Sequence, residues 1–299
     1  MHIRQSVLLG AAAVLILGGG TVFATAATAT PITPVHAAAV RVVAPGVVSS
    51  LPKAPARIRL PKTHLPHPRV VRNGAATSDN WSGYADVADS GVTFTRAATE
   101  FTVPNVNCAG SALGPDGAYI ADWIGIDGWA DTTVEQTGIQ AWCDSATGPV
   151  TYVAWYEMYP LDPVVEGTVS PGDAISVSVR YSGGTYYLDL TDVNTGEYAD
   201  ATATCPAGNT CARRSAEAIT EDPGGAVPDG INLADYGWTA YGESSVTAGG
   251  TTGNWLAVPK KWTSEAIAMV DPDNGGKVMS APGPAYASSA LWTTFKASS

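Results

Sequence analysis

The chain is 299 residues long, 45% hydrophobic and 14% charged, with a formal net charge of −11 at pH 7. Its four histidines, His2, His36, His64 and His67, all precede residue 73, which excludes a Ser-His-Asp triad, a Cys-His dyad or an imidazole-based zinc site from everything after it. Residues 1–72 hold eight Lys/Arg and no Asp/Glu, which leaves eight bases against all 27 acids in residues 73–299, a formal charge of −19 that repels nucleic acid and anionic membranes.

At the N-terminus His2 and Arg4 precede an apolar run from Val7 to Leu17, three glycines and an Ala/Thr tract. This pattern predicts a secretory signal peptide over residues 1–29, with small-residue cleavage options near Ala26, Ala29 or Ala37. A membrane anchor is the alternative, and the short core and the glycines argue against it. The protein is therefore expected to be exported and extracellular, with no stable membrane association.

Residues 30–72 are basic and rich in proline, with little pattern that builds a core, and read as a propeptide or linker. The positive charge complements the acidic remainder. A propeptide is expected to cover the site until low pH protonates the carboxylates that hold it.

Residues 73–299 read as one β-domain. From Asn80 onward, short alternating runs are broken by Gly, Pro, Asn and Asp, as in antiparallel strands. In Thr151 to Tyr159 one face carries Val153, Trp155, Glu157 and Tyr159, the other Tyr152, Ala154, Tyr156 and Met158. Ile175 to Tyr181 alternates likewise, and Thr185 to Glu197 adds a strand and a turn at Asn194 to Gly196. All nine tryptophans follow residue 80, enough to build a core and line a cleft. An all-β, antiparallel two-sheet β-sandwich is expected, monomeric by default.

The four cysteines allow three pairings in an exported protein. Cys205 and Cys211 enclose a turn-like P-A-G-N-T loop, which favours Cys205–Cys211 and, by elimination, Cys108–Cys143. Both are expected to be structural.

Six stretches occur in a telling order: N-W-S-G (Asn80 to Gly83), D-W-I-G-I-D-G (Asp122 to Gly128), V-E-Q-T-G (Val134 to Gly138), A-W-Y-E-M-Y-P (Ala154 to Pro160), P-G-D (Pro171 to Asp173) and A-E-A-I-T-E-D (Ala216 to Asp222). In these the chain resembles the glutamic peptidases, or eqolisins, in one of their bacterial forms. The resemblance implies a bent sandwich of the concanavalin A-like or jelly-roll type with a substrate groove on its concave face. It also implies cleavage of polypeptides at acidic pH without a metal or cofactor, by a glutamine and a glutamate that fall on Gln136 and Glu221. Trp123, Asp127 and Glu157 lie in the matched motifs, Trp123 as a groove wall, Asp127 and Glu157 as residues that orient Gln136 or each other.

The chemistry can be argued independently. Two adjacent carboxylates repel and share a proton, whereas a neutral amide beside one carboxylate avoids that penalty and supplies a donor to an oxyanion. Alternation puts Gln136 on the face of Val134 and Gly138, with Glu135 opposite. Glu217, Ile219 and Glu221 share a face, which makes Glu217 the nearest competitor for the base. The rival readings are a glycoside hydrolase using Glu157 with Glu221, and a non-catalytic carbohydrate- or peptide-binding module. Two departures from the fungal pattern stand out: W-A-D follows I-D-G without a cysteine, and Pro223-Gly224-Gly225 follows E-D where an aromatic residue is usual.

Overall fold

The computed structural model describes residues 46–55, 60, 70–72, 75–129, 131–223, 233–255, 258–283 and 291–297, and the expected signal peptide lies outside them. In chain order the strands are β1 (Val47–Ser49), β2 (Val70–Arg72), β3 (Ala75–Ser78), β4 (Trp81–Ala88), β5 (Phe94–Thr102), β6 (Ala118–Ile126), β7 (Val134–Cys143), β8 (Val150–Tyr159) and β9 (Val164–Thr168). They continue as β10 (Ala174–Ser182), β11 (Thr185–Asp192), β12 (Tyr198–Ala203), β13 (Ser215–Glu221), β14 (Trp238–Ala248), β15 (Thr251–Gly253), β16 (Trp262–Asp271), β17 (Lys277–Pro282) and β18 (Leu291–Phe295). Among the described residues the only helical element is a single 3-10 turn, Cys108–Gly110.

Two antiparallel layers emerge from the pairings. One runs β1-β12-β11-β10-β5-β14, the other β16-β4-β13-β6-β7-β8-β9, and β18 and β17 connect β14 to β16 along a continuous hydrogen-bonded path. This is the expected β-sandwich.

The side-chain period of two decides what each layer buries. On β11, Tyr186, Leu188 and Leu190 turn inward, and on β10 Ile175, Val177 and Val179 do the same. They meet Ile120, Ile124, Ile139 and Ala154 from β6, β7 and β8 in the core between the layers. The intervening residues of β6, β7, β8 and β13 build a second cluster on the outer face of their layer, around Trp81, Trp123, Trp155, Val134 and Ile219.

Both disulfides are formed, Cys108–Cys143 and Cys205–Cys211. The first ties the 3-10 turn to the end of β7 across 35 residues. Part of the segment expected to have little core-forming pattern is packed against the sandwich. β1 extends the edge of β12, with Val47 opposite Ala201, and Leu51 is buried in the inter-layer core.

Candidate active site

Gln136 and Glu221 come from strands two apart, β7 and β13, with β6 between them. Gln136 pairs with Gly125, Glu221 with Ala121, and on β6 the residue midway between those two on the same face is Trp123. The predicted alternation therefore puts both side chains on the outer face, diagonally disposed on either side of one indole. Both are 0% exposed.

The sheet is shaped around that indole. Trp123 pairs with Gly138 on β7, which in turn pairs with Trp155 on β8, so two large rings share a row with a residue that has no side chain. A Cβ at Gly138 would lie 2.6 Å from Trp123 Cβ and collide with the Asp122 carbonyl. Trp81 meets the Trp123 ring edge-on at 5.0 Å between centroids and stacks on Trp129 at 6.3 Å.

Each of the two polar groups has its own partners. Gln136 Nε2 donates to Glu157 Oε2 at 2.6 Å, from the position directly opposite on β8. A carboxylate accepts only, so this contact fixes the amide with its nitrogen toward Glu157. Gln136 Oε1 is buried without a partner, and Gln136 makes no hydrogen bond to Glu221. The Glu221 carboxylate is gripped at both oxygens: Trp123 Nε1 donates to Oε2 at 2.7 Å and Asn80 Nδ2 to Oε1 at 3.1 Å. Asn80 is itself oriented by the Ser78 hydroxyl, which donates to its Oδ1 at 3.1 Å.

Asn80 is the residue for which sequence reasoning assigned no role. It lies in the N-W-S-G motif, but just before β4, where alternation gives no face. Its placement depends on a partner 141 residues away.

Asp127 does not orient Gln136 or Glu157. It sits at the turn after β6 with a left-handed φ of 69°, and its two oxygens accept the backbone amides of Arg213 at 2.7 Å and Arg214 at 2.6 Å, just ahead of β13. It fixes where β13 begins, and so contributes to the register of Glu221 only at a distance. Burial pushes its carboxyl up, reinforced by the neighbouring Asp131 and Glu135 carboxyls. Glu135 faces away from Gln136, toward the core side, and burial likewise raises its pKa.

Glu217 is the closer acid to Gln136 by register, because both pair with Gly125. It lies beneath Trp129, whose backbone N–H donates to Oε1 at 3.3 Å. Burial holds its carboxyl well above the ordinary range, so it stays protonated in acid and is unsuited to act as a base there. Among the described residues no group of three or more His, Cys, Asp or Glu is arranged to hold a metal ion.

The N-terminal segment reaches this face. Ala54 packs against the outer cluster, and Leu60 is buried within it together with Trp81, Trp123 and Trp155.

Comparison with known proteins agrees with these motifs. The profile of the Peptidase A4 family matches residues 79–274. Over 260 residues the chain is 29% identical to Aspergillopepsin-2 of Aspergillus niger, covering 78% of this chain and 86% of that protein. Among solved structures, scytalido-glutamic peptidase with a transition state analog inhibitor is similar at 22% identity and a TM-score of 0.58, covering 73% of this chain and 99% of that one. Aspergilloglutamic peptidase from Aspergillus niger is similar at 23% identity and a TM-score of 0.51, covering 60% of this chain and 99% of that one. At such identities these two structures establish a shared fold.

Proposed function

We propose, because this chain belongs to the Peptidase A4 family and is a glutamic-type endopeptidase, that Glu221 and Gln136 are its catalytic pair and that it is an exported acid peptidase. Family membership decides against the glycoside hydrolase and binding-module alternatives. What carries the assignment of the pair is their common burial on one face, on either side of Trp123, with separate partners that leave each a distinct task.

In the proposed reaction Glu221, ionised, takes a proton from a water as its oxygen attacks the carbonyl carbon of the substrate. The second Nε2 hydrogen of Gln136 donates to the oxyanion of the tetrahedral intermediate. Protonated Glu221 then gives the proton to the leaving nitrogen as the C–N bond breaks. Glu157 keeps the Gln136 amide turned so that nitrogen, not oxygen, is presented beside it. Trp123 and Asn80 hold the Glu221 carboxylate in one rotamer. General acid-base transfer of this kind supplies about 10² to 10⁴ in rate, and an oxyanion donor about 10² to 10³.

Two disulfides suit an oxidising, extracellular setting. With the N-terminal apolar run they support residues 1–29 as a signal peptide and residues 30–72 as a propeptide, with polypeptides as substrates. The W-A-D turn and Pro223 after E-D support the family's bacterial form.

The test is turnover of unfolded protein and of polysaccharide from acidic to neutral pH by the parent chain, Gln136→Ala and Glu221→Gln. Proteolysis is expected to fall at least about 10²-fold in both variants, and polysaccharide to remain intact. Full proteolysis by Gln136→Ala would remove the amide from the mechanism.

A further inference from the structure

We infer that the N-terminal segment occupies the outer face in the manner of a substrate, with Leu60 in the place of a substrate side chain, so that the enzyme selects peptides bearing a bulky aliphatic residue there. The inference rests on the Gln136 and Glu221 reading of the site.

Residues 46–55 run as an extended peptide along the edge of the sandwich. Val47–Ser49 pair with β12, and the Ser50 amide donates to the Tyr198 carbonyl at 2.8 Å. Leu51 then lies against Gly167 of β9, where a Cβ would collide with it, and the Pro52 carbonyl accepts the Thr168 amide at 2.8 Å. Beyond that edge Ala54 packs on the outer cluster, and Leu60, 8% exposed, is buried in the cluster that also holds Trp81, Trp123 and Trp155. Trp123 donates to Glu221, so Leu60 shares its apolar surroundings with the residue that orients the proposed base.

A single leucine in a basic, proline-rich stretch has no intrinsic reason to be buried in the apolar cluster of this face unless that surface accepts aliphatic side chains. Gln136 and Glu221 are both 0% exposed, so a substrate must displace what lies over them.

The sequence around Leu60 also explains why such a segment would survive in the site. Leu51, Leu60 and Leu65 are each followed by proline. Proline holds the preceding residue extended, as a strand-like ligand requires, and makes the following bond a tertiary amide with no N–H to offer. Leu60 therefore presents the side chain of a substrate without an ordinary scissile bond on its C-terminal side.

The experiment uses the full chain. Parent, Leu60→Met, Leu60→Ala and Leu60→Lys precursors are compared for initial turnover of a quenched peptide pool at acidic pH before processing, with folding checked by near-UV circular dichroism. Cleavage sites in an unfolded protein are mapped by mass spectrometry. Leu60→Lys and Leu60→Ala are expected to raise the precursor's initial rate on the order of tenfold, the scale of burying one leucine, while Leu60→Met stays latent. Mapped sites should be enriched several-fold in Leu, Ile or Met at one position. Rates equal to the parent's in every folded variant, or sites without that enrichment, overturn the inference. Adding Glu221→Gln to Leu60→Ala separates the two readings: retained proteolysis there defeats the catalytic pair itself, whatever Leu60 does.

Discussion

At the scale of single residues, the chemistry depends on how firmly two side chains are held. Glu221 receives donors from Asn80 and Trp123, and hydrogen bonds to a charged group contribute about 1.5 to 3 kcal/mol each. Asn80→Ala removes the donor to Oε1 and holds the carboxylate less firmly in its rotamer. We expect kcat to fall about tenfold with KM nearly unchanged, because Asn80 is placed to act on the base and not on substrate binding; Trp123→Phe, which keeps a ring but loses the indole N–H, should lower kcat similarly, with KM free to change because the ring also lines the substrate face. Steady-state kinetics on one peptide decide this, and an unaltered kcat in both variants would mean the grip is irrelevant to turnover. On the other strand, Glu157→Gln retains an acceptor for Gln136 Nε2 but a neutral one, so its loss should be smaller than that of Glu157→Ala.

At the scale of strands, the sheet trades side chains for space under the site. Gly138 separates Trp123 from Trp155, and Gly138→Ala must push either the Trp123 side chain or the Asp122 backbone outward. Overpacking of this kind costs about 1 to 3 kcal/mol, and here it also shifts the indole that holds Glu221. Thermal melting should show the destabilisation and peptide assays a disproportionate loss of kcat; a variant with parental melting and turnover would show that β6 and β7 separate freely. This level was the most legible in the sequence. Alternation alone assigned Gln136 with Gly138, Glu221 with Ile219, and Glu135 to the opposite face, because a period of two fixes facing once a strand is recognised. It could not say that Asp127 would bind the Arg213 and Arg214 amides, since that turn's left-handed φ is set by chain segments far apart in sequence. Nor could it find that Leu51 and Leu60 are buried, because burial of isolated leucines before prolines follows from tertiary contact and leaves no periodic signature.

At the scale of the whole molecule, the notable feature is how many carboxyls are buried outside the catalytic pair. Burial raises Asp122 to about 6, against the pull of hydrogen bonds from Thr220, Thr239 and Tyr241 directly behind the Trp123 and Glu221 strands. It raises Glu166 to about 8, helped by Asp200 and Asp189, and it holds Asp86 and Glu217 well above the ordinary range. In the unfolded chain these groups return to near 4, so between that value and the folded one the native state binds more protons than the unfolded state. Stability then falls as pH rises: the contribution is complete below about pH 4, begins to go as pH climbs toward Asp122's folded value, and is lost further as pH passes that of Glu166. Each such proton removes about 1.4 kcal/mol per pH unit, so two of them lower Tm by roughly 5 to 10 °C per unit in a domain of this size. These raised carboxyls favour the folded state in acid independently of the reaction it performs. Melting of the Glu221→Gln chain, which cannot process itself if the mechanism holds, should show Tm highest near pH 4 and falling steadily to pH 8. Substituting Glu166→Gln should flatten the upper part of that slope without changing Tm at pH 4 by a comparable amount, because the neutral amide resembles the protonated acid. A Tm that is level from pH 4 to 8 would mean that these carboxyls ionise in place at no cost, and acid tolerance would have to be sought in the surface charge instead.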